Sequence, residues 1–384
     1  MVPGKIMKVD FNRISFTGNE IKRLQEVMDG RPLQGGGKFL ELCETLIKKT
    51  TGAKHALVTT SCTSALDIAA ILCNIEPGDE VIVPSYTFVS SVNAFVLRGA
   101  KPVFCDVEAA TLNMDADKLE ALISPRTKVV VPVHYAGVAC DMDKIIGIAR
   151  RRNLMVVEDA AQAFNAYYKG RHLGTLGDLG ALSFHSTKNV IAGEGGALIT
   201  NGDTLARRAN YVREKGTNRI DFIDGKIDKY TWVDYGSSYI PSELITAFLS
   251  AQLEQADALT KPRVAAWEYY AQSLAELESA GKLHLCKVPQ YAATNAHIYF
   301  VYLDDSAQAK ALHAFLKERG ISTNAHYAPL HNCPMALKLA GGAAQTLPVA
   351  EKMAKTMLRL PIFASISRQE QDYVCNSVRD FFNK

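Results

Sequence analysis

No stretch of this sequence stays apolar for the roughly 18 residues that would suggest a membrane-crossing helix, and its cationic residues never gather into a block. The formal net charge is only +3, with both signs interspersed, so neither nucleic acid nor a membrane is an expected partner. The eight cysteines, Cys43, Cys62, Cys73, Cys105, Cys140, Cys286, Cys333 and Cys375, include no CxxC pair and mostly stand in apolar company. That spacing suits free buried thiols in a reducing cytoplasm better than disulfides or zinc, and no metal is expected. Internal repeats and low-complexity tracts are also missing. The opening stretch "MVPGKIMKVDF" lacks the charged, apolar and small-residue succession of a signal peptide. The expected location is therefore the cytoplasm, while the sequence does not decide whether those first residues are native.

What the chain does have is length and apolar content. Its 384 residues, 48% of them hydrophobic, can bury a large core and divide into two domains. Between residues 55 and 200, short β-branched runs alternate with helical stretches: "HALVT" with "SCTSALDIAAILCN", "DEVIVP" with "TFVSSVNAFVLRG", then "KPVFCD", "KVVVPVHYAG", "MDKIIGIARRRN" and "LMVVEDAA". Continuous apolar strands alternating with helices predict an α/β fold with a mainly parallel sheet covered on both faces. Past residue 250 the stretch "SAQLEQADALTKPRVAAWEYYAQSLAELESAG" reads as long helices, with Pro262 arguing against one uninterrupted helix. A smaller α+β unit follows, ending in helical patterns at 348–358 and 368–382. The expected domains are 12–250 and 251–384, with a cleft between them.

In such sheets ligands bind beyond the carboxyl ends of the strands, and polar residues stand there. Asp159 follows "LMVVE"; His185, Ser186, Thr187 and Lys188 follow "ALSF"; Ser61, Cys62, Thr63 and Ser64 follow "HALVTT"; Tyr86, Thr87 and Phe88 follow "DEVIVP". Taken singly these are unremarkable: Asp159 reads as a helix cap or ion-pair partner, "SCTS" as an N-cap, and Phe88 as core. Together they fit one ligand. A phosphate would sit at Cys62, Thr63 and Ser183 on a helix N-terminus, a flat ring under Phe88, a basic ring nitrogen opposite Asp159, and a carbonyl opposite Lys188. Pyridoxal 5′-phosphate has all four parts. The glycines of "GEGG" would let the backbone turn tightly beside it.

"VEDAAQA", "SFHSTKN" and "GEGGAL" resemble the signatures of the DegT/DnrJ/EryC1/StrS sugar aminotransferases, and "PSYTFVSSVNAFVLRGAKPVFCDV", "VPVHYAG", "REKGTNR", "DKYTW" and "HYAPLH" extend the likeness from residue 12 towards the C-terminus. The resemblance implies the fold type I aminotransferase fold, a large domain with a mainly parallel sheet of the seven-stranded type plus a smaller C-terminal α+β domain. It also implies a homodimer with sites at the subunit boundary. Carried over residue by residue, Lys188 would be the Schiff-base lysine and Asp159 the partner of the pyridine nitrogen. Gln162 would lie near the cofactor's phenolic oxygen or ring face, Phe88 would stack on the ring, and Cys62, Thr63 and Ser183 would hold the phosphate.

The resemblance further implies a cofactor cycling through pyridoxamine 5′-phosphate and L-glutamate as donor. The keto sugar would be dTDP-4-dehydro-6-deoxy-D-glucose, giving dTDP-4-amino-4,6-dideoxy-D-galactose and 2-oxoglutarate. Other 3- or 4-keto nucleotide sugars stay open. Related dehydratases carry histidine in place of the lysine, so Lys188 argues against that chemistry, and a non-catalytic regulator would not need both Lys188 and Asp159. Substrate contacts are expected, more loosely, from His134, Tyr135, His185, Arg213, Lys215, Arg219, His326 and His331. One departure stands out. Many relatives supply an asparagine from the partner subunit to the phosphate, and Ile240 occupies its place in "GSSYIPSEL"; Ser237, Ser238 and Ser242 are the available substitutes.

Overall fold

The computed structural model describes residues 6–30, 33–343 and 345–383, so the first residues of "MVPGKIMKVDF" lie outside the described part. Seven strands form the central sheet: β1 His55–Thr59, β2 Glu80–Pro84, β3 Lys101–Cys105, β4 Thr127–Val130, β5 Met155–Ala160, β6 Leu179–Ser183 and β7 Gly196–Thr200. Their spatial order is β1-β7-β6-β5-β4-β2-β3. β7 runs antiparallel to both its neighbours, whereas the pairs among β2, β3, β4, β5 and β6 are parallel. Burial on both faces explains the unbroken apolar runs. Successive side chains point to opposite faces, so Val81, Val83, Val129 and Val157 enter one core while Ile82, Val130 and Val156 enter the other.

The antiparallel strand has a consequence for the site. Because β7 enters where β1 and β6 end, its first residue, Gly196, pairs with both Thr59 and Ser183. A Cβ on Gly196 would collide with the Cys62 amide nitrogen and the Ser61 backbone. Glycine here is what lets the helix Cys62–Leu72 start directly against the sheet edge.

A second sheet of three antiparallel strands, β8 His284–Leu285, β9 Tyr299–Tyr302 and β10 Met357–Leu360, packs with the helices Ala256–Ser279, Ser306–Glu318 and Arg368–Phe382. Two expectations change here. Pro262 lies inside the continuous helix Ala256–Ser279, and the interruption falls earlier, at Gln255. The buried stripe of Leu259, Arg263, Ala266, Tyr270, Leu274 and Leu277 runs past the proline, so packing outweighs the lost backbone hydrogen bond. The helix beginning at Pro348 stops at Thr356, and Met357–Leu360 becomes a strand because it pairs with β9 in register, Tyr302 opposite Met357 and Tyr299 opposite Leu360.

Residue 250, at which the sequence divides the chain, lies inside the helix Glu243–Glu254, which packs on the helices Glu20–Met28 and Lys38–Thr51. The N-terminal segment joins the smaller unit: Val9 forms a parallel bridge with Ile321. One apolar cluster runs through both units, from Leu57 and Val129 to Phe300 and Leu360. No helix among the described residues is long and apolar enough to cross a membrane.

Candidate active site

A cavity of about 630 Å³ opens at the carboxyl ends of β1, β2, β5 and β6, with the smaller sheet as its far wall. On the large-domain side most polar side chains are fixed, while two helix amides and the Lys188 amine stay open. Asp159, 5% exposed, stands one residue before the end of β5. Its Oδ1 accepts the Ala161 amide at 3.0 Å and its Oδ2 accepts the Ser91 hydroxyl at 2.6 Å. The helix Cys62–Leu72 presents its N-terminus: Ser61 Oγ caps the Ser64 amide at 3.0 Å, while the Cys62 and Thr63 amides have no protein acceptor. Thr63 Oγ1 lies 2.9 Å from Ser90 Oγ, and Ser183 completes the rim. Free amides at a helix start beside hydroxyls form an anion cradle.

Lys188 is half-buried on the cavity wall, and its amine has no hydrogen-bond partner among the described residues. Burial holds this amine below the ordinary lysine range; Arg359 pushes the same way, against Cys62 and Asp159. A neutral amine is what a base requires. Gln162 anchors itself through Oε1, which accepts the Ala136 amide at 2.7 Å. Phe88 is 56% exposed on the rim, its ring 6.2 Å from that of Tyr327. His185 also lines the cavity, with Nδ1 2.9 Å from Thr187 Oγ1 and Nε2 3.5 Å from Glu194.

The opposite wall was largely missed in the sequence. It consists of Phe11, Asn12, Arg263, His297, Asn324, His326, Tyr327 and Arg359; of these only His326 is among the substrate contacts the sequence leads one to expect. Arg263 donates to the Ala296 and His297 carbonyls at 3.2 and 2.9 Å, and burial lowers its pKa to about 9, which leaves it a cation at neutral pH. Arg359 stacks over Phe11 at 4.7 Å, its Nη1 lies 3.1 Å from His326 Nδ1, and its Nε is buried without a partner. Neither guanidinium meets a carboxylate among the described residues. Burial, then Arg359 and Lys188, drive the His326 pKa down to about 3, so its ring is neutral and can accept from Arg359. An arginine in "MLRL" carries no local signal; its place follows from β10 pairing with Asn324.

Several expected substrate contacts lie elsewhere. His134 is fully buried behind the wall, 2.8 Å from Glu158 Oε2, and that carboxylate also accepts the Gly174, Leu176 and Gly177 amides. Tyr135 is equally buried, packed edge-on against Tyr86, Tyr327 and Phe300. His331 is held by Ser85 Oγ at 2.6 Å and Glu351 at 3.1 Å. Arg213 is buried against Glu44 and the Val58 carbonyl. His134, His331 and Arg213 satisfy interior polar groups, Tyr135 packs behind His326 with its hydroxyl 3.5 Å from Nδ1, and none of the four lines the cavity. Lys215 and Arg219 are exposed beside Glu214, away from this chain's cavity. Ile240 packs against Gly35 and the large-domain core, while Ser237 and Ser238 are exposed.

The model of the DegT/DnrJ/EryC1/StrS aminotransferase family matches residues 15–379, and the chain belongs to this family. It is similar to the GDP-perosamine synthase of Caulobacter vibrioides, 36% identical over 379 residues, with 95% of this chain and 97% of the relative covered. It is 34% identical over 378 residues to the spore coat polysaccharide biosynthesis protein SpsC of Bacillus subtilis, with 94% of each chain covered. The crystal structure of the aminotransferase TlmJ from Streptoalloteichus hindustanus superposes with a TM-score of 0.88 at 31% identity, covering 98% of this chain and 99% of that one. The chain is thus a sugar aminotransferase, and its cofactor is pyridoxal 5′-phosphate. The residues fit that group: the orphaned Cys62 and Thr63 amides, the cradle that only a glycine at 196 leaves open, an acid at one end and a desolvated amine on the wall.

Proposed function

We propose that the enzyme aminates C4 of a nucleotide-linked 4-keto-6-deoxy sugar with L-glutamate as donor. The observation that carries the reading is one cavity holding an unpartnered, desolvated lysine, a fixed carboxylate and an open helix N-terminus. In this reading the Cys62 and Thr63 amides with Ser183 hold the phosphate, Phe88 and Gln162 flank the ring, and Asp159 receives the ring N–H. Pyridoxal 5′-phosphate supplies an electron sink there. Lys188 takes a proton from the amino donor's α-carbon and returns one on the sugar side, a task that burial favours by holding its amine below the ordinary lysine range. Arg359 and Arg263 offer the unpaired cations that a donor carboxylate needs.

The sugar substrate we favour is dTDP-4-dehydro-6-deoxy-D-glucose, giving dTDP-4-amino-4,6-dideoxy-D-galactose and 2-oxoglutarate, on the strength of "VPVHYAGVAC" and "REKGTNR" with "DKYTW". A GDP-linked sugar is the second reading, favoured by the name of the Caulobacter relative. The product would serve surface polysaccharide synthesis in the cytoplasm. The working unit would be a homodimer, supported by exposed Phe16, Ile21, Trp232 and Tyr235, in which Ser237 or Ser238 takes over the phosphate contact missing at Ile240.

Purified protein assayed with glutamate against dTDP- and GDP-linked 3- and 4-keto sugars tests this. Turnover of the dTDP-4-keto sugar, with a galacto-configured product by NMR, is expected. Preference for a GDP-sugar supports the second reading, and amination only of a 3-keto sugar overturns both. Light scattering checks the dimer.

A further inference from the structure

Asp159 is not held by its own strand alone. Ser91, in the first turn of the helix Ser90–Val96, reaches across from the β2 side of the sheet and donates to Asp159 Oδ2 at 2.6 Å. Behind it Thr87 Oγ1 lies 2.8 Å from Ser91 Oγ. The direction of this chain is fixed by counting protons. A carboxylate only accepts, so the single hydroxyl proton of Ser91 is used on Asp159, and the 2.8 Å contact requires Thr87 to donate to Ser91. Ser91 is fully buried and Thr87 is 2% exposed, yet Thr87 contributes to the cavity wall. The relay therefore runs from the cavity surface to the back of the carboxylate.

The geometry matters because the terminal torsion of an aspartate is broad and two-fold. With only the Ala161 amide on Oδ1, the carboxylate plane could turn. A second donor from a different element removes that freedom, and a 2.6 Å O–H···O⁻ contact lies in the strong, charge-assisted range. We infer that Ser91, braced by Thr87, is a positioning residue that fixes the plane of Asp159 toward the cofactor's ring nitrogen. The inference rests on the role proposed for Asp159. In the sequence Ser91 looked like any small residue of "TFVSSVNAF".

The test uses the full chain and four variants, Ser91→Ala, Ser91→Thr, Thr87→Val and Asp159→Asn. Pyridoxal 5′-phosphate is titrated by absorbance, the bound spectrum is followed against pH, and the melting midpoint of the cofactor-free protein is measured. S91A should weaken cofactor binding about tenfold to a hundredfold, the worth of one hydrogen bond to a charged group, and move the spectral pH profile in the same direction as D159N. T87V should show a smaller shift of the same sign, and S91T should restore wild-type behaviour. The cofactor-free midpoint should fall by only a few degrees, too little to leave protein unfolded at the temperature of the binding titration. Wild-type binding and profile in S91A, or a loss that simply follows the midpoint, overturns the relay. If S91T behaves like S91A, the relay fails as well. Should D159N itself leave binding and profile unchanged, the assignment of Asp159 fails first and the relay with it.

Discussion

The two walls of the cavity are built on opposite principles. On the large-domain wall the side chains around the open Cys62 and Thr63 amides and the Lys188 amine arrive with their partners: Asp159 takes two donors, Ser61 caps its helix, and Gln162 holds the Ala136 amide. On the facing wall Arg263 and Arg359 carry charge that no carboxylate answers, beside two histidines kept neutral by burial. A wall of fixed side chains around a few open donors holds one resident group in one pose. A wall with surplus cations can accept an anion that comes and goes, because the ligand itself completes the hydrogen bonding. The difference suggests a division of labour, the cofactor on one side and the exchanging substrates on the other.

The sharpest way to break that division is at the amine. Lys188→Ala should abolish turnover while the fold survives: losing proton transfer alone costs roughly 10²–10⁴-fold. Appreciable turnover in purified variant protein would falsify the assignment. Next in size, Asp159→Asn should lose most activity and bind cofactor more weakly with a near-normal melting midpoint. A lowered midpoint with normal specific activity would instead make Asp159 a structural cap.

On the opposite wall the pattern should reverse. Arg359→Met is expected to raise the KM for glutamate by about tenfold or more, consistent with a lost charged hydrogen bond, while spectral titration shows cofactor binding unchanged. Equal damage to cofactor affinity would collapse the distinction between the walls. The smallest effect concerns pH. Burial lowers the His172 pKa to about 4, and its Nε2 accepts the Asn165 amide at 2.9 Å. The unfolded chain therefore takes up this proton before the folded one. Stability should fall as pH drops from about 6.5 to about 4 and level off below, since it declines wherever the unfolded state binds more protons. Thermal melts across that range should slope less in His172→Gln; an unchanged slope would remove this histidine from the account.

The two walls also differ in how legible they were. Strand ends of a parallel sheet are local features: an apolar run, then a polar residue, is readable within ten positions, and Lys188, Asp159, Cys62, Thr63, Ser183, Gln162 and Phe88 all reach the cavity. Arg359 and Asn324 became neighbours only through a bridge between distant segments, which no local pattern announces. The misplaced histidines, His134 and His331, failed for the converse reason. Each sits in a motif rich in aromatic and small residues, but each is needed inside to satisfy a buried acid or hydroxyl, and a sequence does not show on which side of a loop a ring will turn.

The bridge between Val9 and Ile321 bears on how the enzyme is made. Phe11 and Asn12 belong to the cavity wall, yet the strand neighbour that holds them in place leaves the ribosome only after more than three hundred further residues. The segment carrying Val9 must therefore wait, unpaired, until Ile321 has been made. A nascent chain carrying the complete seven-stranded sheet would still lack a closed pocket, so the enzyme should acquire its finished site only once Ile321 and Arg359 have emerged.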